Sequence, residues 1–258
     1  MNLYNYTLGD PINSNDATGL ASTPTCGSSG FYFNGAYQGT IGQIMAGTSN
    51  QAILAGAMYT ESGHGANVDV ADEEYAIGAV IMNRWEFVNK NWYLFSSPVG
   101  AGSQPISTAG WGTPGDSITS IIENPSQFAI YTNSPSGVVM SASAQNNLNA
   151  AISSSADSSS CSDLATALTL ADGMWGERNN GNPLYLYNGL VLTGFNSFNP
   201  PHSSAPYEQS AGSFGDANVF YGVPETNVSD TLPPPRPRRI PNPIPLPPRT
   251  PKAPGQPR

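Results

Sequence analysis

Residues 59 to 84 read YTESGHGANVDVADEEYAIGAVIMNR, a glutamate, a glycine-bearing loop and an apolar helix in sequence order. Upstream of them Ile53, Leu54, Ala57 and Met58 are apolar at the spacing of one helical face. Gly63 and Gly65 follow at once, which puts Glu61 in the last turn of that helix. A helix C-terminus carries partial negative charge, so a carboxylate is unfavourable there. Burial against Met58 and Tyr59 acts in the same direction and favours the protonated carboxyl. Beyond the loop, Asp69 or Asp72 is placed to cap a second helix, with Glu73 and Glu74 in its first turn, where negative charge is welcome. The pattern predicts helices over 41–62 and 72–90. A proton-holding glutamate beside a cleft is what a general acid for glycosidic-bond cleavage requires.

Four blocks of this chain, in order, resemble the SleB-type cell wall hydrolases. Glu61 matches the family's catalytic glutamate, and Ala76-Ile77-Gly78-Ala79-Val80-Ile81-Met82-Asn83-Arg84 matches the helix that ends in Asn-Arg. Ile121-Ile122-Glu123-Asn124-Pro125-Ser126-Gln127-Phe128 is similar to an aliphatic run closing on Gln-Phe. Residues 165 to 188 resemble a helix with Ala171 and Gly173 followed by Leu184-Tyr185-Leu186-Tyr187-Asn188. Phe214-Gly215-Asp216-Ala217-Asn218-Val219-Phe220-Tyr221 resembles the closing strand. The likeness spans residues 51 to 222 and has departures. The loop after Glu61 is longer, Gly65 stands where the family often has a second glutamate, and Asn218 falls where a histidine is usual.

The resemblance implies a mainly helical lysozyme-like α+β domain with a small β element. It further implies a lytic transglycosylase acting on the glycan strand of peptidoglycan through Glu61 alone. Gln127, Phe128, Tyr185, Tyr187 and Asn188 are then the expected substrate-binding residues, through amides and ring faces. Phe128 is equally readable as core, and one pair of the alternating Leu184 to Tyr187 is expected to face inward. No second carboxylate stands out. Glu73, Glu74 and Glu123 are the first alternatives should water be the nucleophile. The contrasting reading is a non-catalytic glycan-binding or structural envelope protein.

Composition narrows the partners. Residues 1–222 hold three basic residues (Arg84, Lys90 and Arg178) against 16 acidic ones, a net charge of −13. Such a body offers nothing to replace the counterions of a nucleic acid. No apolar run approaches the ~20 residues of a membrane span. Two cysteines (Cys26 and Cys161) and two histidines (His64 and His202) fit no metal-ligand spacing, and no cofactor is implied. The cysteines are either free thiols or a pair bridged in an oxidising compartment. A surface rich in Ser, Asn, Thr and Gly suggests export to the envelope or periplasm, although the N-terminus lacks the basic start and apolar core of a signal peptide. One route is delivery as an antibacterial effector, for which an immunity or carrier protein is expected.

Along the chain, residues 1–50 read as an irregular arm with a short strand at 31–33, and 51–222 as the catalytic domain. The stretch 96–117, which holds Trp111, reads as a long functional loop or lid. Ser117 caps a short helix, residues 141–176 read as helices broken by the serine run 153–160, and 184–191 as a strand or hairpin. Thirteen of the 24 prolines lie in 223–258, so that segment is expected to be an extended basic tail.

Overall fold

The computed structural model describes residues 31–33, 36–64, 69–89, 92–125, 127–128, 130–135, 137–154, 158–179, 184–197, 208–214 and 218–234. They form an α+β fold. The helix expected over 41–62 is two helices, α1 (Ile41–Met45) and α2 (Asn50–Glu61). The break follows from Ser49, which takes extended backbone and accepts from the Ala52 N–H, so a new helix starts there. Ile41 and Ile44 of α1 join the core, so the helical body begins before residue 51. Asp69 caps α3 (Val70–Val88) by accepting from the Asp72 N–H. Ser117 caps α4 (Ile118–Ile122) in the same way through Ser120. The serine run separates α5 (Ala142–Ser153) from α6 (Ser159–Asn179).

The core lies where α2, α3 and α6 meet, with Leu54, Ile77, Ile81, Leu164 and Leu168 fully buried. Gly78 allows the close approach. A Cβ there would lie 2.8 Å from Met174 Sδ on α6 and 2.9 Å from Met58 Sδ on α2. A side chain at 78 would push the three helices apart.

The β content is larger than a small element. Strands β6 (Leu186–Tyr187), β7 (Leu190–Ser197), β8 (Gln209–Ser213) and β9 (Asn218–Pro224) form an antiparallel sheet in the order β6-β7-β9-β8. Three antiparallel pairs flank it: β1 (Phe31–Phe33) with β2 (Ala36–Gly39), β3 (Tyr93–Leu94) with β10 (Val228–Ser229), and β4 (Tyr131–Ser134) with β5 (Gly137–Met140). Asn83 ties α3 to the sheet. Its Nδ2 donates to the Tyr185 and Leu192 carbonyls at 2.9 Å each, and its Oδ1 accepts from the Tyr185 N–H at 2.8 Å. Cys161 is buried and disulfide-bonded, while Cys26 lies outside the described residues. Among the described residues no helix is long and apolar enough to cross a membrane.

The boundary expected at 222 is too early. Val223 is fully buried, β9 continues to Pro224, and the Asn227 side chain donates to the Phe95 carbonyl at 3.3 Å. Proline enrichment marks the tail, but β9 and then β10, which pairs with β3, precede most of the prolines. Residues 235–258 of the expected tail lie outside the described residues. Truncation after Gly222 should therefore lower the thermal midpoint substantially, because it removes β10 and the end of β9. An unchanged midpoint in differential scanning calorimetry would contradict this pairing.

Candidate functional site

Glu61 ends α2 and is half-buried. The Ile130 N–H, one residue before β4, donates to its Oε1 at 3.2 Å. Its backbone carbonyl accepts from Asn218 Nδ2 of β9 at 3.1 Å. The same Nδ2 donates to Glu73 Oε1 at 2.8 Å, and the Gly63 N–H donates to Glu73 Oε2 at 2.6 Å. A helix end, a buried carboxyl of α3 and the sheet thus meet behind Glu61. Burial pushes Glu73 above the usual carboxylate range, and the Gly63 and Asn218 hydrogen bonds and nearby His64 oppose this.

The loop leaving Glu61 is held again one residue on. His64 sets Nδ1 3.2 Å from Asp163 Oδ2 on α6 and Nε2 2.9 Å from the Tyr59 carbonyl. Both neighbours are acceptors, so the doubly protonated ring satisfies both. The bond to Asp163 raises the His64 pKa, against the effect of burial. Its partner Asp163 is 99 residues away in the chain.

Arg84 stands on the other side. It is 8 % exposed, donates through Nε to the Thr193 carbonyl at 2.8 Å, and leaves Nη1 without a partner. Its guanidinium carbon lies 5.5 Å from the Trp111 ring and 5.4 Å from the Phe128 ring. Burial lowers its pKa to about 10, while Glu208 and Glu61 act to keep it charged. Tyr131 is pushed up to about 12, by burial first and then by Glu123 and Glu61, so it is a neutral phenol in this setting. Trp111 belongs to the stretch read as a lid. That stretch is fastened to α3, since Trp85 Nε1 donates to the Asp116 carbonyl at 2.9 Å.

The expected binding residues divide. Gln127 is half-buried, on the segment that leads to Ile130. Phe128 is core, 1 % exposed beneath Arg84 and 6.1 Å from the Phe195 ring. Tyr185 is also core, 1 % exposed with its hydroxyl donating to the Met174 carbonyl, which puts it out of a ligand's reach. Tyr187 is half-buried, edge-on to Phe214 at 5.1 Å. Asn188 makes the β6–β7 turn. Its φ of 50° and the 77° of Gly189 are those of an Asn-Gly hairpin turn, and its amide donates to the Ala211 carbonyl at 3.0 Å. The turn explains that asparagine without a sugar.

Glu73 and Glu74 differ most from their reading as solvated first-turn charges. Both are fully buried. Neither oxygen of Glu74 has a hydrogen-bond partner, and burial raises its pKa well above the usual range, with Asp163 and Glu73 adding to the effect. Sequence reasoning missed Glu208, and it met Glu73 only as an alternative base and Asn218 only as the residue in place of a usual histidine, not as partners of one another. The one available signal was two glutamates beside an otherwise apolar, alanine-rich helix. Among the described residues no group of three or more His, Cys, Asp and Glu could hold a metal ion. No family model, curated protein or solved structure matches the chain.

Glu74 yields a pH test. Folded, its carboxyl keeps its proton to higher pH than in the unfolded chain. Stability from this group is therefore full below the ordinary carboxylate range and is lost as pH rises through the raised folded value. Glu74→Gln keeps the shape and cannot ionise. Its stability relative to wild type should rise between about pH 5 and about pH 8 in urea unfolding, by on the order of 1 kcal/mol or more. A difference that does not change with pH would contradict a neutral, buried Glu74.

Proposed function

We propose that this protein cleaves the glycan strand of peptidoglycan, with Glu61 as the proton donor, on a lysozyme-like domain of the SleB type. The observation that carries the reading is the setting of Glu61. It is half-buried at a helix C-terminus, its carboxyl held by the Ile130 N–H before a hairpin and its backbone tied to an antiparallel sheet through Asn218. A carboxyl held by a backbone donor keeps its direction, which is what proton transfer to a bound substrate requires. The disulfide at Cys161 supports an exported protein, whether resident in the envelope or delivered to it as an effector.

In this reading Glu61 gives its proton to the glycosidic oxygen as the bond to the anomeric carbon breaks. It then takes the proton of the muramic-acid 6-hydroxyl as that oxygen bonds to the same carbon. Glu73 and Glu74 are poor candidates for activating water, the first because both its oxygens accept hydrogen bonds and the second because it is dry and neutral. Intramolecular attack then has the advantage of a well-oriented neighbour. Products should end in an anhydro-muramic ring, one water lighter than hydrolysis products.

The test is digestion of purified peptidoglycan with mass analysis of the soluble fragments. Wild type should release anhydro-ended fragments, and folded Glu61→Gln should lose at least about 10²-fold in rate. Wild-type turnover by folded Glu61→Gln would overturn the assignment. Absence of fragments from several wall types would favour a glycan-binding protein instead.

A further inference from the structure

We propose that Glu73 and Asn218 are positioning residues for Glu61, and that the site works only while Glu73 is ionised; this rests on the glycan-cleavage reading above. The geometry is a set of hydrogen bonds around Glu73, to which the Asn218 backbone N–H also contributes. Glu73 comes from α3, is 0 % exposed, and spends one oxygen on the Gly63 N–H and the other on Asn218 Nδ2. Asn218 Nδ2 has two hydrogens. One goes to Glu73 at 2.8 Å and the other to the Glu61 carbonyl at 3.1 Å. The residues anchored are Glu61 itself and Gly63, two positions on. The set therefore fixes the peptide that carries the proton donor and the exit of its loop.

Only the carboxylate completes this set. Both partners of Glu73 are N–H donors, so a protonated oxygen would face a donor and one bond would break. Flipping the Asn218 amide does not help, because its oxygen would then face the Glu61 carbonyl. Neighbouring Glu74 marks the contrast, since its oxygens meet no donor and it stays neutral. The other groups facing Glu73 and its neighbours are His64 on the loop after α2, Asp163 on α6 and Tyr59 on α2. His64 supplies positive charge that favours the ionised form, and burial works against it.

A single proton-donating Glu61 should keep working as pH falls, so a loss of rate on the acid side has to come from a group that must be ionised. Glycan strands freed of stem peptides serve as the probe, and kcat and KM are measured across pH. Wild type should show an acid limb in kcat. Glu73→Gln should lower kcat by roughly 10²-fold, as expected for a displaced reacting group, with KM little changed and the acid limb gone. Asn218→Ala should lower kcat in the same way and keep an acid limb. A flat acid side in wild type, or wild-type kcat in both folded variants, would overturn the proposal. If Glu73→Gln does not fold, Asn218→Ala and the wild-type profile decide it. Glu61→Gln, run beside them, separates the two claims. If it is inactive while the other variants match wild type, the proton donor stands and the positioning set fails. If it is fully active, the cleavage mechanism itself fails.

Discussion

A helix buried almost all round has to find partners inside the protein for every polar side chain it carries. α3 is such a helix, and Glu73, Glu74, Asn83, Arg84 and Glu86 are all buried along it. Glu73 reaches the loop after α2 and strand β9. Asn83 reaches β7 and the segment before β6, Arg84 reaches β7, and Glu86 pairs with Arg178 of α6 at 2.7 Å. These bonds join α3 to the loop after α2, to β7 and β9 of the sheet, and to α6. Together they fix the helix against the sheet far more specifically than its alanine and isoleucine faces could alone.

The site is a consequence of that fixing. Glu61 is positioned less by its own helix than by what α3 and β9 do to the peptide around it. Arg84 is held against the Trp111 and Phe128 rings by the same helix, and its charge faces Glu61. Glu74 is the exception, a buried carboxyl with no partner. It lowers stability at neutral pH, and it keeps a second negative charge away from Glu73.

Much of the helical frame was legible because its signals are local. Asp69 and Ser117 cap where their short side chains and the following apolar residues place them, and the serine run separates α5 from α6. The break at Ser49 was missed although Gly47-Thr48-Ser49-Asn50 is a polar interruption that ends in an N-cap residue. Asn188-Gly189 was read as a sugar contact although the dipeptide is itself a hairpin signal. Tyr185 looked like one of an alternating pair, yet the segment enters the core before β6 begins. The positioning set was out of reach because its members lie far apart. Glu73 and Asn218 are separated by 145 residues, and His64 and Asp163 by 99. Periodicity sees neighbours along a chain, and burial of an isolated charge depends on partners it cannot see.

The central claim is that the carboxyl at the end of α2 meets the scissile bond of a glycan strand. It is tested most directly by the crystal structure of Glu61→Gln with a peptidoglycan glycan strand bound. The account predicts a glycosidic oxygen about 3 Å from the amide at position 61, with the Ile130 N–H still directed at that side chain. A strand seated away from α2, or one whose glycosidic oxygens all lie beyond hydrogen-bond reach of position 61, would contradict it.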